Sequence, residues 1–468
     1  MAESRSGAIL ASVAQFGRKA RWWQGLGPQH PAQVLALAFV GAIGLGTLLL
    51  MLPASVAGEG TGGAPFVAAL FTATSAVCVT GLVVVDTATY WSGFGQTVVI
   101  VLIQLGGLGI MTAASLIAIL LARRLGLRTR FIVSASVRAV GIGEVRKLVI
   151  GVARLTFTVE AAITLALTAR LVLGYGADLG QALAWGGFTA VSAFNNAGFA
   201  LWSDNLESFG GDPWMLLPVC AAVIIGGLGF PVLFEIRRHL HLPRRWSMHT
   251  SLVLIGTGVL LLGGTAAVSA LEWTNPDTLG PMPAGQKVLA GFVAATMTRT
   301  AGFNAVDIGA MTTQSLFTQD LLMFVGGGPA GTAGGVKITT FAVLFFIIFT
   351  ELRGETAVNI LGRRLSRSVH REAITIALLS IAVVVTGTWL LLVLTTFTLD
   401  QILFEVISAF GTVGLSTGIT AHLPTAAQVV LVLTMFIGRL GPLTVGTALA
   451  MRDRRARFEL PKERPLVG

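Results

Sequence analysis

The stretch FTATSAVCVTG, residues 71–81, places a hydroxyl residue four positions after Phe71 and a glycine six positions after that hydroxyl. The same spacing of phenylalanine, serine or threonine, and glycine recurs three more times at wide and similar intervals. The four copies are Phe71/Ser75/Gly81, Phe188/Ser192/Gly198, Phe292/Thr296/Gly302 and Phe404/Ser408/Gly414. Each copy lies in a short apolar stretch between two longer ones, so the sequence predicts one chain built from four copies of a unit.

The composition indicates a protein of the lipid bilayer. Hydrophobic residues make up 54% of the 468 residues, charged residues make up 12%, and the mean hydropathy is +0.80. A soluble protein of this length would need far more polar surface. Eight apolar stretches, each long enough to cross roughly 30 Å of hydrocarbon as a helix, lie at 33–52, 95–122, 148–173, 214–236, 250–272, 319–350, 371–398 and 426–451.

Basic residues are concentrated in alternate connections, within 123–147, 237–245 and 353–371, and near both ends of the chain. By the positive-inside rule, these connections and both termini are expected to face the cytoplasm. Residues 1–32 lack the apolar core of a signal peptide, so we expect them to be a retained cytoplasmic segment. The net charge of +10 therefore indicates membrane topology rather than binding of nucleic acid.

The connections on the opposite side, 53–94, 174–213 and 399–425, contain no lysine or arginine. They carry acidic residues instead: Glu59, Asp86, Asp178, Asp204, Glu207, Asp212, Asp400 and Glu405. An acidic mouth attracts cations, so these connections favour a cation as the transported species.

The four repeat segments, near 65–77, 181–194, 286–298 and 401–410, are too short to cross the membrane. Thirteen helical residues reach only about 20 Å, so each segment is expected to enter the membrane and return on the same side. Irregular backbone is tolerated at membrane depth only where it is buried in protein or lines water. Four return limbs that face one another would satisfy this condition and would line a pore.

The return limbs share a glycine and no ionisable residue. Glycine permits the backbone angles that turn carbonyl oxygens towards a common axis, and rings of carbonyl oxygens hold desolvated monovalent cations. The expected ion-binding residues are Val79, Thr80, Gly81, Asn196, Ala197, Gly198, Thr300, Ala301, Gly302, Thr412, Val413 and Gly414.

A second group of glycines lies in the second long stretch of every unit. These are Gly106-Gly107-Leu108-Gly109, Gly226-Gly227-Leu228-Gly229, Gly326-Gly327-Gly328-Pro329 and Gly438-Arg439-Leu440-Gly441. They predict a weak point in each second helix. In the third unit the glycine-rich stretch extends over 326–337 and cannot be regular helix. It lacks the Gly-Lys-[Ser/Thr] of a phosphate-binding loop, so we interpret it as a break inside the membrane.

Arg439 lies near the middle of its predicted span, where an ionisable residue is functional by default. We expect it to project into the pore below the carbonyl ring, to hydrogen-bond the loop 326–337, and to act as a positive barrier. The alternative is a structural pairing with a buried carboxylate. The predicted gate comprises Gly326, Gly327, Gly328, Pro329, Gly331, Thr332, Ala333, Gly334, Gly335, Lys337 and Arg439.

At the four return limbs, the glycine-rich break and Arg439, the chain resembles the Trk/Ktr/HKT superfamily of potassium transporters, in particular the Ktr-type membrane subunit. The resemblance covers nearly the whole chain. It rests on TGL (80–82), NNAGF (195–199), RTAGF (299–303), TVGLS (412–416) and GTAGGVK (331–337). It implies an all-α polytopic membrane protein with four M1-P-M2 units (membrane helix, pore helix, membrane helix) around a pseudo-fourfold pore. That architecture has eight transmembrane helices and four re-entrant pore helices.

The resemblance also implies the domain boundaries. The expected units are 33–130, 131–245, 246–353 with the gating loop 326–337, and 354–451, followed by a cytoplasmic tail at 452–468. The Ktr type is favoured because the first span, near residue 33, leads directly to the first filter loop. Gly81 stands where a serine accompanies sodium transport in plant relatives, which favours K+ as the transported ion.

The family further implies a homodimer resting on a cytoplasmic ring of RCK-type subunits. Nucleotide is expected on those subunits, with no organic cofactor on this chain. The expected function is potassium uptake across the cell membrane. The alternative is a Na+-coupled or non-selective monovalent cation secondary transporter, although such transporters typically have two inverted halves. An enzyme is not expected, because intramembrane nucleophiles, acids and metal ligands form no cluster in the sequence.

Overall fold

The computed structural model describes residues 31–58, 62–124, 142–240, 242–355 and 357–441. Residues 1–30 of the expected N-terminal segment 1–32, residues 442–451 of the last predicted span, the expected tail 452–468, and Glu59 of the expected acidic mouth lie outside the described residues.

Each unit begins with a long helix, which is followed by a short helix and then by a second membrane element that is divided into two helices in units 2 and 3. The first unit contains α1 (Pro31–Leu50), α2 (Phe66–Cys78) and α3 (Gly93–Arg124), and the second contains α4 (Ile142–Tyr175), α5 (Leu179–Phe194), α6 (Pro213–Leu228) and α7 (Phe230–Arg238). The third contains α8 (Met248–Glu272), α9 (Ala284–Met297), α10 (Thr313–Phe324) and α11 (Ile338–Leu352). A short antiparallel hairpin, β1 (Asn359–Ile360) and β2 (Arg363–Arg364), precedes the fourth unit: α12 (Arg367–Leu394), α13 (Leu399–Gly411) and α14 (Thr425–Leu440). The four short helices α2, α5, α9 and α13 are the predicted re-entrant segments.

The first helix of each unit contains an apolar stretch long enough to cross a membrane: Gln33–Leu50, Val149–Tyr175, Met248–Glu272 and Arg367–Leu394. Their outer surfaces are apolar, since Leu173 and Leu262 are 86% and 75% exposed. Polar residues such as Thr74, Ser75 and Asn195 are instead fully buried. Apolar residues outside and hydroxyl and amide groups inside are the arrangement expected of a protein surrounded by lipid.

The second helices do not all break where the sequence predicted. Helix α3 continues through Gly106 and Gly107, so the expected weak point in the first unit is wrong. In the second unit the helix stops before Gly229, with a bend of 97° between α6 and α7. In the fourth, α14 ends before Gly441. Both glycines have left-handed φ, 88° and 84°, which glycine adopts without steric cost.

In units 1, 2 and 4, the first glycine of the group packs against the pore helix of the same unit. A Cβ atom on Gly106 would lie 2.0 Å from the carbonyl oxygen of Val77, at the end of the pore helix. A Cβ atom on Gly226 would lie 2.0 Å from the carbonyl oxygen of Phe194, and one on Gly438 would lie 1.9 Å from that of Phe410. Glycine at these positions therefore lets the second helix approach the backbone of its own pore helix, as small residues do in membrane proteins.

Candidate cation pore

The four return limbs form a closed ring. Each repeat glycine lies against the carbonyl oxygen of the residue that precedes the glycine of the next unit. A Cβ atom on the glycine would lie 2.4 Å (Gly81 to Ala197), 2.7 Å (Gly198 to Ala301), 2.4 Å (Gly302 to Val413) and 2.1 Å (Gly414 to Thr80) from that oxygen. The contacts run from unit 1 to 2, 2 to 3, 3 to 4 and back to 1, so the limbs surround one axis.

The backbone of each limb has the same unusual course. The residue two positions before the glycine has left-handed φ in every unit: Val79 (56°), Asn196 (60°), Thr300 (77°) and Thr412 (50°). The glycines are also left-handed, with φ between 70° and 96°. A non-glycine residue in this region costs on the order of 1–3 kcal/mol. Four equivalent positions with the same strain point to a shared functional geometry, and alternating signs of φ turn successive carbonyl groups to one side of the chain.

The hydroxyl residue of the repeat braces the limb in two units. Ser75 Oγ accepts a hydrogen bond from Gly81 N at 3.0 Å, and Ser408 Oγ accepts one from Gly414 N at 3.1 Å. Thr296 instead donates to the carbonyl oxygen of its own helix residue Phe292 at 2.8 Å. The hydroxyl of the repeat therefore hydrogen-bonds the limb glycine in units 1 and 4, and the hydroxyls of units 2 and 3 do not make this bond.

A vestibule of about 300 Å³ opens on the glycine side of the ring. Its lining includes the four repeat glycines and the carboxylates Asp86, Asp204, Glu207 and Asp307. Hydrogen bonds between units fix two of these acids: Ser203 donates to Asp86 at 2.5 Å, and Asn304 donates to Glu207 at 2.6 Å. Acids concentrated at the mouth of a concave surface raise the local concentration of cations.

The vestibule acids differ in their proton affinity. Burial raises the pKa of Glu207, and the neighbouring carboxylates Asp307 and Asp204 raise it further. Burial also acts to raise the pKa of Asp86, but hydrogen bonds from Ser203, Thr89 and the backbone outweigh it and hold that pKa below its ordinary value. Glu207 is therefore neutralised at a higher pH than Asp86.

Some of the expected mouth acids have structural roles instead. Asp212 accepts a hydrogen bond from Arg170 at 2.7 Å in an ion pair and caps α6. Glu405 is fully buried in the pore helix α13 and accepts hydrogen bonds from Ser416, Thr417 and Thr420. Asp307 is not among the predicted mouth acids, because its connection also contains Lys287 and so does not share the purely acidic character of the other three.

The loop 325–337, between α10 and α11, lies on the other side of the ring. Thr332 donates a hydrogen bond to Asn196 Oδ1 at 3.0 Å, and a Cβ atom on Gly334 would lie 2.0 Å from the Thr412 hydroxyl. Asn196 and Thr412 are left-handed limb residues of units 2 and 4. The loop therefore contacts two opposite walls of the ring at the positions furthest from the vestibule.

Backbone contacts hold this loop in a compact form. Gly326 N donates to Val336 O at 2.8 Å, which joins the two ends of the loop, and Ile338 N donates to Gly327 O at 3.1 Å. Gly328 N and Thr332 N donate to carbonyl oxygens of α6, at Gly227 (2.8 Å) and Gly226 (3.2 Å). The loop of unit 3 is therefore attached to the second helix of unit 2.

The remaining predicted gate residues belong to the same compact loop. The carbonyl oxygen of Pro329 lies next to Gly229, and that of Ala330 accepts a hydrogen bond from Phe230 N at 3.4 Å. Gly331 packs on the Gly226–Gly229 backbone, and Gly335 packs on Gly411. Lys337 turns its ammonium group back onto the carbonyl oxygens of Ala333 and Gly334.

Arg439 connects three units. Its guanidinium group donates to Thr332 O in the loop and to Gly106 O, at 3.2 Å, in α3. The side chain is only 4% exposed. Both bonds are to carbonyl oxygens, and within the described residues the ion pair found is that of Arg170 with Asp212. The structure therefore contains the expected hydrogen bond to the loop and not the alternative pairing with a carboxylate.

A polar cluster behind the second limb was missed from the sequence. Asn195, which directly precedes Asn196, donates to Gln104 at 2.7 Å and to Glu160 at 3.2 Å, and Gln104 donates to the other Glu160 oxygen at 3.3 Å. Glu160 is 5% exposed and lies in the predicted span 148–173. The signal was available, since a carboxylate inside a membrane span is rare and usually functional.

Comparisons with known proteins agree with this architecture. The family model of TrkH, a cation transport protein, matches residues 9–458. The Ktr system potassium uptake protein B of Bacillus subtilis (strain 168) is 42% identical over 424 residues, covering 91% of this chain and 94% of the relative. The protein of the same name from Vibrio alginolyticus is 36% identical over 437 residues, covering 93% of this chain and 94% of the relative.

A solved structure gives the same fold. The crystal structure of the potassium transporter TrkH from Vibrio parahaemolyticus matches with a TM-score of 0.73 over 91% of this chain and 85% of that one. Its sequence identity of 15% supports the fold alone. The predicted all-α, multi-pass membrane architecture of repeated units is thereby confirmed. Because the family model covers nearly its whole length, the chain belongs to the TrkH family of cation transport proteins.

Proposed function

We propose that the chain takes up potassium ions across the cell membrane through the ring of return limbs. The observation that carries this proposal is the closed set of contacts, in which every repeat glycine lies against a carbonyl oxygen of the next limb. Such a ring offers carbonyl oxygens from four sides and can replace the hydration shell of a monovalent cation. The names of the two Ktr relatives support potassium as that cation.

The limbs would select the ion, and the vestibule would raise its local concentration. The carbonyl groups that hold K+ are proposed to be those of residues 79–81, 196–198, 300–302 and 412–414. The loop 326–337, which contacts the ring from the other side, is proposed as the gate. Arg439 would hold that loop closed through Thr332 and would add a positive charge to the ion path. These roles are cation transport and need no catalytic group.

The proposed topology puts the vestibule outside and both termini in the cytoplasm. The four units are then 33–130, 131–245, 246–353 and 354–451. A homodimer on a ring of RCK-type nucleotide-binding subunits is proposed as the complete assembly, with K+ as cargo and no organic cofactor on this chain. The word "system" in the names of the relatives supports the presence of partner subunits.

The test is uptake of radioactive Rb+, as a substitute for K+, by proteoliposomes containing the purified chain together with its ring. External K+ should compete with Rb+ far better than Na+ does, and uptake should follow the Rb+ gradient without any Na+ gradient. Uptake that requires a Na+ gradient would support the secondary transporter instead. Equal competition by K+ and Na+ would remove potassium selectivity from the proposal.

A further inference from the structure

Helix α6 is short for a membrane span and turns sharply at its end. Its 16 residues reach roughly 24 Å at 1.5 Å per residue, less than the roughly 30 Å of hydrocarbon. Trp214, at its first turn, is 72% exposed, as expected of an aromatic residue at a membrane interface. Helix α7 then leaves at 97°. In the proposed topology, α7 therefore runs along the inner leaflet rather than across it.

The end of α7 and the connection that follows combine positive charge with exposed apolar side chains. Arg237 and Arg238 form the exposed last turn of α7, and Arg244 and Arg245 lie in the exposed turn before α8. Between these pairs, Leu240 and Leu242 are 59% and 48% exposed. We call residues 237–240 and 242–245 the basic segment.

The acid nearest to these arginines in the sequence, Glu235, is bonded to other residues. Glu235 accepts hydrogen bonds from the backbone and hydroxyl of Ser247, both at 2.7 Å, and from Thr250. Its carboxylate therefore faces the start of α8, where Ser247 and Thr250 donate hydrogen bonds to it. Among the described residues, none of the four arginines takes part in an ion pair, so each can bind an anionic group outside the protein. A guanidinium group can donate two parallel hydrogen bonds to the oxygens of one phosphate.

The basic segment is linked to the proposed gate through the bend. A Cβ atom on Gly229 would lie 2.4 Å from the carbonyl oxygen of Pro329, and Phe230 N donates to Ala330 O at 3.4 Å. Gly328 N donates to Gly227 O on the other side of the bend. The position of α7 and the position of residues 328–330 are therefore mechanically coupled.

We propose that the basic segment binds the phosphate headgroups of anionic phospholipids in the inner leaflet, and that this binding holds α7 and sets the position of the loop 326–337. The inference rests on the proposed function and adds a lipid ligand to its gate. Lipid is favoured over a protein partner because Leu240 and Leu242 protrude between the arginines. Apolar residues flanked by basic ones are typical of interfacial insertion. In the proposed topology, the segment also connects the second helix of unit 2 to the first helix of unit 3, which places it near the lipid headgroups.

The experiment compares Rb+ uptake in vesicles of phosphatidylcholine alone and in vesicles that also contain phosphatidylglycerol, using the chain with its ring. The test variant carries Arg237→Gln, Arg238→Gln, Arg244→Gln and Arg245→Gln. The matched control carries Arg363→Gln and Arg364→Gln, two exposed arginines in the hairpin β1–β2, remote in sequence from the bend. Retention of phosphatidylglycerol by each purified variant is measured by native mass spectrometry.

The wild type and the hairpin control are expected to change their uptake rate when phosphatidylglycerol is added and to retain the lipid. The fourfold variant is expected to lose both effects while keeping its uptake in phosphatidylcholine. A fourfold variant that still responds to phosphatidylglycerol overturns the inference. So does a fourfold variant that no longer binds its ring, because the segment would then be a protein docking surface. Lipid-independent uptake by the wild type overturns the inference and leaves the proposed function intact.

Discussion

Gly414 and Thr80 close the ring of return limbs, although they are far apart in the sequence. A Cβ atom on Gly414 would lie 2.1 Å from the Thr80 carbonyl oxygen, the shortest of the four equivalent distances. The fourth unit is thus packed against the first as tightly as consecutive units are packed against each other. Substitutions at this contact test whether the ring selects the ion.

Gly414→Ala is expected to reduce the preference for K+ over Na+, because the added methyl group displaces the Thr80 carbonyl. Gly418→Ala is a matched control. Gly418 has nearly the same left-handed φ, 90° against 96°, but a Cβ atom there meets nothing within 4 Å. Competition of Na+ with Rb+ uptake measures the difference. Equal loss of selectivity in both variants would attribute the effect to backbone strain and not to the ring contact.

Ser75→Ala and Ser408→Ala are expected to weaken selectivity and to lower the melting temperature modestly. Each removes a hydrogen bond to a glycine N–H in the ring, worth on the order of 1 kcal/mol. Ser192→Ala is the comparison, since the Ser192 hydroxyl has no hydrogen-bond partner among the described residues. Thermal unfolding in detergent and Na+ competition are the measurements. A loss in Ser192→Ala as large as in the other two would contradict the assignment.

Arg439→Ala is expected to raise the basal rate of Rb+ uptake, because the loop loses its bond through Thr332 and the ion path loses a positive charge. Arg439→Lys separates these two causes. A lysine keeps the charge but cannot offer the two forked donors that reach Thr332 and Gly106. We expect an increase in both variants, larger for alanine. A folded but inactive alanine variant would assign Arg439 a structural role.

Glu160→Leu is expected to destabilise the protein more than Glu160→Gln does. Leucine leaves the Gln104 amide without its acceptor and removes one of the three acceptors of Asn195. An unsatisfied buried polar group costs about 1–3 kcal/mol. Glutamine retains an oxygen at this position. Melting temperatures and Na+ competition measure the effects on stability and on the second limb. If the two variants lose stability equally, the negative charge rather than hydrogen bonding is required.

Uptake at low Rb+ concentration is expected to fall as the external pH drops towards the acidic range. The raised pKa of Glu207 means that this carboxylate takes up a proton at a higher pH than an ordinary glutamate, and the vestibule then loses negative charge. Glu207→Gln should raise KM at neutral pH and flatten the pH profile. Asp277→Asn, at an exposed position outside the vestibule lining, is the control. An unchanged profile in Glu207→Gln would exclude Glu207 as the titrating group.

The sequence predicted the repeated architecture because a spaced pattern of phenylalanine, hydroxyl and glycine does not depend on distant parts of the chain. It predicted the break at 326–337 for the same reason, since glycine and proline act locally. It did not predict which of Gly109, Gly229 and Gly441 interrupts its helix. In the second unit the break coincides with the approach of the Pro329 carbonyl from another unit, and such tertiary contacts are invisible in local composition.

The candidate site was predicted in part. Asn196 and Thr332 were both named, but their hydrogen bond joins residues of different units and could not be read from either segment. Asp307 was missed because charge was assessed for each connection as a whole. The structure separates Asp307, which lines the vestibule, from Lys287, which donates to the Trp273 carbonyl oxygen at 2.6 Å.

The single-chain construction of the ring has a consequence for how the pore can vary. In a channel assembled from four identical chains, one mutation alters all four walls at once. Here the equivalent positions have diverged separately: Val79 packs beside Gly106, Asn196 bonds Thr332, and Thr412 accommodates Gly334. One wall can therefore be specialised for contact with the proposed gate while the others keep the shape that the proposed ion site requires. Because of this asymmetry, a mutation can change the opening of the pore without changing its choice of ion, or the reverse.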